Sequence, residues 1–299
     1  MRALGAIAVV AAIVAVAMVA ATPPAAEAQM GERGKLKGGK KGGRKPTPPG
    51  GPGKVAADTN PEIIGAFIPT RANLDAMRIR GFLETGLAPV YPDDADCPLM
   101  TSAFGVATRS DGSQRSRRFY QGRHGGFDIP ADEGTPILAL ADGTVVTMGE
   151  GAAIGGLAIV LQHAPEDTGL DVWTYTEYKH IQELPPLTIG QRVAMGELIA
   201  RAGKTGTTGG YYGADGFSHL HMTAFFSTGG EYEIGHMLIP VGGQWMDPMA
   251  FFRRAPVESV NLIDLPEAEK SVPIAFKTTD GRIVPEGTKV VWPFACVPR

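Results

Sequence analysis

The sequence predicts an all-β protein: an antiparallel, sandwich-like β-sheet body with long loops, joined to a small N-terminal helical element and a disordered basic linker. Three observations support this prediction. From Phe104 to about Phe252, short runs rich in β-branched and aromatic residues alternate with glycine turns. Helical periodicity is almost absent from the same stretch. Residues 29–58 are mostly Gly, Lys and Pro, and such a segment cannot bury enough apolar surface to offset its ordering entropy.

The first 28 residues predict an export signal. Arg2 supplies a positive charge, Leu4 to Ala21 is a run of small and apolar residues, and Ala26-Glu27-Ala28 has the small-x-small pattern that signal peptidase accepts. The alternative is an uncleaved membrane anchor, because the run approaches the length that spans a bilayer. Either interpretation places the bulk of the chain outside the cytoplasm, in the periplasm or cell envelope or secreted.

Charge divides the chain into a basic linker and an acidic body. The formal net charge is −3, but residues 31–54 contain eight basic residues and one acidic residue, whereas residues 55–299 contain nineteen basic and twenty-nine acidic residues. We expect the linker, residues 29–58, to be a solvated tether that could also contact anionic envelope polymers. No nucleic-acid partner is expected, and the sequence gives no prediction of the oligomeric state.

Residues 59–103 are expected to form an accessory segment with one helix, which has Thr70 as its N-cap and ends at Gly86. In the following domain, residues 104–254, a hairpin is predicted from Pro136 to Met148. Further predicted strands are Leu157–Gln162, Val172–His180, Arg192–Met195, Glu197–Ala202 and His219–Phe226, with irregular loops at 107–123 and 203–217. The C-terminal extension, residues 255–299, is expected to add a small β element at 272–276 and 284–292.

The chain has two cysteines, Cys97 and Cys296. Export to an oxidising compartment favours a disulfide between them. Such a bond would close nearly the whole body into one loop, for which the chain-entropy model gives roughly 4–5 kcal/mol of stabilisation. Two unpaired thiols are the alternative.

Two histidine motifs indicate a metal site. His124 and Asp128 form an H-x3-D motif whose two internal glycines argue against a helix, so the pair should meet in a turn or an extended segment. His219 and His221 form an H-x-H motif, which on a strand directs both imidazoles to one side and Leu220 to the other. Each motif alone is also typical of a surface turn or a packed strand histidine.

A third motif lies between these two. Thr176-x-Tyr178-x-His180 would place three polar side chains on one face of a strand. A catalytic zinc ion takes three protein ligands and leaves its fourth position to water. The H-x3-D pair and one histidine of H-x-H supply that set. His180 and the other histidine then remain for proton transfer and charge stabilisation, which predicts one Zn²⁺ per chain.

Several longer segments of the same stretch carry a family resemblance. They are His124-Gly125-Gly126-Phe127-Asp128-Ile129, Gly134-Thr135-Pro136-Ile137-Leu138-Ala139, Ala141-Asp142-Gly143-Thr144-Val145-Val146, Thr176-x-Tyr178-x-His180, Gly190-Gln191-Arg192-Val193, Gly196-Glu197-Leu198-Ile199, Gly203-Lys204-Thr205-Gly206 and His219-Leu220-His221. With these segments, the stretch from about Phe104 to Phe252 resembles the lysostaphin-type (LytM, M23) zinc metalloendopeptidases.

The resemblance implies that His124, Asp128 and His221 bind zinc and that His180 and His219 are the catalytic histidines. It also implies a β-sheet groove with zinc at its floor and a hydrolase that cuts short peptide bridges of peptidoglycan. The bond that is cut, glycyl-glycine or D-alanyl–diamino acid, is left open.

The sequence also departs from the family pattern. Thr223 stands where the family often has an acidic residue, and the loop with Tyr211 and Tyr212 is longer than usual. Both departures bear on substrate preference rather than on the ligand positions. His163 is expected to support the sheet or the edge of the site, and His236 to be an ordinary surface or packing histidine.

Two other functions fit the same sequence. The first is a catalytically silent protein of the same fold that binds peptidoglycan or activates a separate amidase. Such proteins typically lack ligand residues, whereas all five site positions are filled here. The second is a wall-anchoring protein whose basic linker carries the function.

Overall fold

The computed structural model describes residues 60–150, 155–207, 216–235 and 237–299. The predicted signal and linker, residues 1–58, lie outside the described residues, as do Tyr211, Tyr212 and His236. The described residues all belong to one compact unit. None of the helices within these ranges is long and apolar enough to cross a membrane.

Strands carry the fold of the described residues, which confirms the all-β prediction. They are β1 (Ala88–Val90), β2 (Ala95–Asp96), β3 (Phe127–Pro130), β4 (Pro136–Leu138), β5 (Gly143–Glu150), β6 (Leu157–His163), β7 (Trp173–Lys179), β8 (Arg192–Val193), β9 (Leu198–Arg201), β10 (His219–Ser227), β11 (Tyr232–Ile234), β12 (Leu238–Pro240), β13 (Gln244–Met246), β14 (Ser271–Pro273), β15 (Phe276–Lys277), β16 (Ile283–Val284) and β17 (Val297–Pro298).

The helices of the described residues are short. They are α1 (Pro61–Phe67), α2 (Leu74–Ile79), α3 (Pro165–Thr168), α4 (Ala250–Arg253), α5 (Ser259–Leu262) and α6 (Glu267–Lys270), with 3₁₀ turns at Pro69–Arg71 and Tyr120–Gly122.

A seven-stranded antiparallel sheet forms the centre of the body: six strands follow the order β13-β10-β7-β6-β5-β8, and the seventh, β3, pairs with β10. β10 is the longest strand and pairs with β7 along one edge. Along its other edge it pairs with β3 over its first half and with β13 over its second half. This pairing places Asp128 of β3 beside His221 of β10, although the two residues are 93 positions apart in the sequence.

The two faces of the central sheet bury different layers. Leu220 and Met222 of β10 point into a large apolar cluster with Ile159 and Leu161 of β6 and with the small β4–β9 sheet. On the opposite face, Phe225 packs with the residues of the accessory segment, including Phe67 of α1. Side-chain alternation along each strand produces this division.

The predicted hairpin from Pro136 to Met148 is wrong. β4 pairs with β9, whereas β5 pairs with β6 and β8. The chain between β4 and β5 crosses from one sheet to the other, and its polar groups find partners on the way. The Asp142 carboxylate accepts a hydrogen bond from the Met195 backbone N–H, and the Leu140 N–H donates to the Tyr178 hydroxyl. The partners in these contacts are 53 and 38 residues apart in the sequence, so hairpin periodicity could not reveal them.

The prediction of one helix capped by Thr70 is also wrong. The accessory segment contains two short helices, and Thr70 lies in the 3₁₀ turn between them. Asn73 is the N-cap of α2, because its side-chain oxygen accepts hydrogen bonds from the backbone N–H groups of Asp75 and Ala76. α2 ends at Ile79, just before Gly81 adopts a left-handed φ of 82°.

The C-terminal extension packs into the same core as the central sheet. β14 pairs in parallel with β1, and β17 pairs with β2. Trp292 and Phe294 are buried in the large apolar cluster. Of the β element predicted at 284–292, only Val284 lies in a strand, β16, and the rest is an irregular segment. The predicted disulfide between Cys97 and Cys296 is present and joins the two ends of the body.

His163 supports the sheet from inside the core, as predicted. It is fully buried, its Nδ1–H donates to the Asp142 carbonyl at 2.6 Å, and its Nε2 lies 2.8 Å from the Thr176 hydroxyl. Burial lowers the pKa of His163 from 6.5 to about 4. The folded chain therefore holds a neutral ring at pH values where the unfolded chain binds a proton.

This difference predicts an acid-sensitive contribution to stability. The contribution from His163 is fully present above pH 6.5 and is lost as pH falls toward 4, with a slope of about 1.4 kcal/mol per pH unit for one group. Urea unfolding at pH 7 and pH 5, with EDTA present to remove metal effects, measures it. His163→Gln keeps a donor and an acceptor but cannot titrate, so its free energy of unfolding should fall less between the two pH values. An equal fall in both proteins would contradict the prediction.

Candidate metal centre

Three side chains converge on one point beside β10. Nε2 of His124 lies 3.0 Å from Oδ1 of Asp128 and 3.0 Å from Nδ1 of His221. Oδ1 of Asp128 lies 2.8 Å from Nδ1 of His221. Of the described residues, these are the ones that form a group able to hold a metal ion. Their role as ligands stays a prediction.

Strand pairing produces this convergence. Asp128 of β3 lies directly opposite His221 of β10 in the antiparallel register. The same register places Phe127 and Ile129 opposite Met222 and Leu220, on the core face. The alternating pattern therefore sends the apolar side chains inward and leaves the carboxylate and imidazole on the opposite face.

Polar contacts on the side of the ring away from the convergence point hold His124 in place. It is buried, and its Nδ1 lies 2.8 Å from the carbonyl oxygen of Ala103 and 3.3 Å from the hydroxyl of Ser102. A carbonyl can only accept a hydrogen bond, so Nδ1 carries the proton of the neutral ring. Nε2 of His124 then presents its lone pair to the convergence point.

His221 is held in a similar way by its own strand. Its Nε2 lies 3.1 Å from the hydroxyl of Thr223, which can accept the ring proton. Burial lowers the pKa of His221 to about 3, so the ring is neutral at pH 7. Nδ1 is then free to present a lone pair beside that of His124.

Asp128 supplies the negative charge of the cluster. Burial by itself raises the pKa of Asp128, but its contacts with His124 and His221 hold that pKa well below the ordinary value. The carboxylate is therefore ionised at neutral pH. Its second oxygen, Oδ2, lies 3.2 Å from Nη2 of Arg115.

These residues fit a zinc ion. One carboxylate oxygen and two imidazole lone pairs face one point, and the second nitrogen of each imidazole lies within hydrogen-bond distance of a neighbouring oxygen. This is the donor set and the surrounding hydrogen bonding of a three-ligand catalytic zinc site. A cation at this point would relieve the repulsion among three electron-rich atoms at 2.8–3.0 Å.

His180 reaches the site by a route that the sequence did not predict. Thr176 and Tyr178 point to the core face, where their hydroxyls contact His163 and Leu140. Alternation would send His180 to that face as well, but its ring lies beside that of His219, so the expectation that all three residues of the motif share one face of a strand is wrong.

The backbone conformation of His180 turns its side chain away from the core face and toward the site. Its φ is 63°, a left-handed conformation that costs a non-glycine residue roughly 1–2 kcal/mol. The ring lies 4.6 Å from that of His219 between centroids, and its Nδ1–H donates to the Thr205 carbonyl at 2.7 Å. Burial, reinforced by His219 and His221, holds the pKa of His180 well below its ordinary value.

His219 lies beside the cluster on the same face. Its Nε2 is 3.7 Å from Oδ1 of Asp128, and its Nδ1–H donates to the Phe217 carbonyl at 2.9 Å. The exposed ring of Phe217 stacks on the imidazole at a centroid distance of 5.0 Å. His180 and His219 therefore both have Nδ1 bound to a backbone carbonyl and Nε2 available.

Sequence reasoning missed the residues that surround the three candidate ligands. Ser102, Ala103 and Arg115 contact His124 or Asp128, yet none of them stands in a motif. Arg115 is one of several arginines between positions 109 and 123, and nothing in its spacing distinguishes it from the others. Tertiary folding alone selects it.

The central part of the chain is similar to known metallopeptidases. The family model described as Peptidase family M23 matches residues 122–230. An uncharacterized metalloprotease of Haemophilus influenzae is 35% identical over 98 residues, which cover 33% of this chain and 18% of that protein. The chain thus spans less than a fifth of the length of this relative.

Solved structures are similar at lower identity. The catalytic domain of lysostaphin from Staphylococcus simulans is 22% identical, with a TM-score of 0.33, and the match covers 51% of this chain and 87% of that chain. A zinc containing peptidase from Vibrio cholerae is 22% identical, with a TM-score of 0.31, and the match covers 51% of this chain and 38% of that chain.

The close contact of β3 with β10 gives a testable prediction at Gly126. A Cβ at this position would lie 2.1 Å from the Met222 carbonyl oxygen and 3.1 Å from Nε2 of His221. Gly126→Ala must therefore push the two strands apart, with a cost of roughly 1–3 kcal/mol or more and weaker zinc binding. Gly229→Ala is the matched control, because no heavy atom lies within 4 Å of its Cβ. Urea unfolding and zinc titration of both variants measure the effect, and equal behaviour would refute the steric explanation.

Proposed function

We propose that the protein is an exported zinc metalloendopeptidase that hydrolyses peptide cross-bridges of bacterial peptidoglycan, and that residues 122–230, which match the model of Peptidase family M23, form its peptidase domain. The convergence of His124, Asp128 and His221 beside two further histidines carries the proposal. The family match supports a peptidase. The motif resemblance and the predicted export signal support the peptidoglycan substrate and the location.

Zinc held by His124, Asp128 and His221 would polarise the scissile carbonyl and lower the pKa of a bound water to about 7. The chain's own residues then have two tasks. One is to move a proton from the attacking water to the leaving amine. The other is to stabilise the negative charge that develops on the carbonyl oxygen.

His180 is suited to the proton transfer. The carbonyl of Thr205 fixes its tautomer, so the neutral ring offers the lone pair of Nε2 as a proton acceptor. Its depressed pKa means that the protonated ring readily gives the proton up again. Peptide hydrolysis needs a group that accepts a proton from the attacking water and then releases it to the leaving amine, and His180 is suited to both steps.

His219 is suited to charge stabilisation. Its Nδ1 is tied to the Phe217 carbonyl, and its Nε2 lies next to the carboxylate of Asp128. A proton on Nε2 would be directed toward the same small volume in which a carbonyl oxygen reacts. His219 is the first residue of β10, whereas His180 directly follows β7, so the two histidines approach that volume from different segments and can take different roles.

The binding-only alternative is less well supported. A protein that binds peptidoglycan without cutting it has no need of the candidate ligands and the paired histidines together. The left-handed backbone of His180 is a further argument, because strain of this kind is retained where a side chain must be aimed at a functional site.

Substitution of three of the five site residues tests the assignment of roles. His180→Ala and His219→Ala should each keep zinc and lose about 10²–10⁴-fold in turnover, as expected for general acid–base groups. His221→Ala should lose both zinc and activity under chelating conditions, because two ligands remain. Metal analysis beside bridge-cleavage assays on the purified variants measures both effects.

His180→Asn controls for the backbone. Asparagine tolerates the left-handed conformation better than alanine, so a loss of turnover in both variants is due to the missing imidazole. Full activity in His180→Ala and His219→Ala would refute the catalytic roles. Stoichiometric zinc in His221→Ala would reassign the third ligand.

Digestion of purified sacculi tests the substrate. The wild-type protein should release fragments whose masses correspond to cleavage within peptide cross-bridges, and added chelator should abolish that release. The new termini identify the bond as glycyl-glycine or D-alanyl–diamino acid. Binding to sacculi without any fragment, by a protein that holds stoichiometric zinc, would favour the binding-only function.

A further inference from the structure

We infer that Arg115 is a positioning residue of the metal centre, which fixes Asp128 and, through Ser102, His124. The inference rests on the zinc site of the proposed function. It does not depend on the identity of the substrate.

Arg115 makes a compact set of contacts at the back of the site. Its Nη2 lies 2.6 Å from the Ser102 hydroxyl and 3.2 Å from Oδ2 of Asp128. The Ser102 hydroxyl lies 3.3 Å from Nδ1 of His124. The guanidinium and the carboxylate are both largely buried, with side-chain exposures of 17% and 14%. One guanidinium nitrogen thus contacts one candidate ligand directly and a second through a hydroxyl.

The contact with Arg115 gives the two carboxylate oxygens of Asp128 different partners. Oδ2 accepts from Arg115, while Oδ1 faces His124 and His221. A charge-assisted hydrogen bond to Oδ2 fixes the rotation of the carboxylate and leaves Oδ1 as the atom directed at the metal. Without the guanidinium, the carboxylate could rotate and offer both oxygens. Residues that orient metal ligands in this way commonly determine metal affinity.

The loop that carries Arg115 is held in place by the accessory segment. Nε2 of Gln121 donates to the Ala72 carbonyl at 2.9 Å, and Tyr120 packs edge-on against Trp245 with its hydroxyl directed at the Phe67 carbonyl. Tyr120 and Gln121 both have left-handed φ angles, 46° and 54°. Surrounding contacts must maintain such a backbone, and here the accessory segment supplies them.

Hydrogen bonds within its own loop also fix the backbone and the side chain of Arg115. Its backbone N–H donates to the Ala107 carbonyl, and its Nε donates to the Thr108 carbonyl at 3.2 Å. Arg115 and Ser102 both precede residues 122–230, the part of the chain that matches the peptidase family. The metal centre therefore depends on groups that lie outside the matched domain.

Zinc affinity of Arg115 variants tests the inference. In competition with a chromogenic chelator, Arg115→Ala should bind Zn²⁺ about 10–100-fold more weakly than wild type. Arg115→Lys keeps the charge but cannot reproduce the guanidinium geometry, so it should show an intermediate loss. The Co²⁺-loaded protein gives a second readout, since its visible absorption should change if the carboxylate binds differently.

Arg117→Ala is the matched control, because Arg117 is exposed in the same loop. It should keep wild-type Zn²⁺ affinity and Co²⁺ absorption. Urea unfolding of the zinc-free proteins distinguishes a role in orienting the ligands from a role in stabilising the fold. If Arg115 orients the ligands, Arg115→Lys should have a metal-free stability close to wild type and should bind zinc more weakly.

The outcomes distinguish this inference from the proposed function. A wild-type protein that binds zinc but releases no fragment from sacculi would overturn the proposed substrate and leave the Arg115 result standing. A wild-type protein that binds no zinc would overturn both. Unchanged Zn²⁺ affinity and unchanged Co²⁺ absorption in Arg115→Ala and Arg115→Lys, beside a zinc-binding wild type, would overturn the inference alone.

Discussion

The pairing of β10 on both of its edges is the constraint on which the site depends. One edge bonds to β7 and the other to β3 and β13, so a single strand connects the candidate ligands with the rest of the sheet. Its alternation then separates Leu220 and Met222 in the core from His219 and His221 on the opposite face. A shift of the register by one residue would exchange these two sets, so burial of the apolar set also fixes the imidazoles.

The site combines a rigid apolar support with polar groups whose hydrogen bonds are assigned. His124, His180 and His219 each have Nδ1 against a backbone carbonyl, and His221 has Nε2 against a hydroxyl. A buried polar group is costly unless it is hydrogen-bonded, and here each of these rings has a hydrogen-bond partner. The same logic operates in the core, where His163 is buried as a neutral ring between two oxygen atoms. His163 also has Nδ1 against a backbone carbonyl, so these histidines differ in what the second ring nitrogen faces: Thr176 for His163, and Asp128 for His124.

The body extends beyond the stretch that carries the motifs. The accessory segment packs against the site-bearing face of the sheet, around Trp245, and holds the loop from which Arg115 reaches Asp128. The C-terminal extension contributes Trp292 to the core on the other face and is joined to the start of the body by the disulfide. Segments from both ends of the described chain therefore stabilise a centre whose principal residues lie in the middle.

The sequence by itself determined the β class, the two histidine motifs, the side-chain alternation of β10 and the cysteine pair. These features depend on local periodicity, on residue chemistry or on a count, all of which are present in the linear chain. The N-cap of α2 could have been found as well, since Asn73 is as good a capping residue as Thr70.

Tertiary structure alone decided the remaining features. The pairing of β4 with β9, the turn of His180 toward the site and the choice of Arg115 among neighbouring arginines involve partners distant in sequence. His180 shows the reason most clearly. Alternation predicts its direction from the strand, but a left-handed backbone after the last paired residue reverses it, and only the packed neighbours of a folded chain can stabilise that conformation.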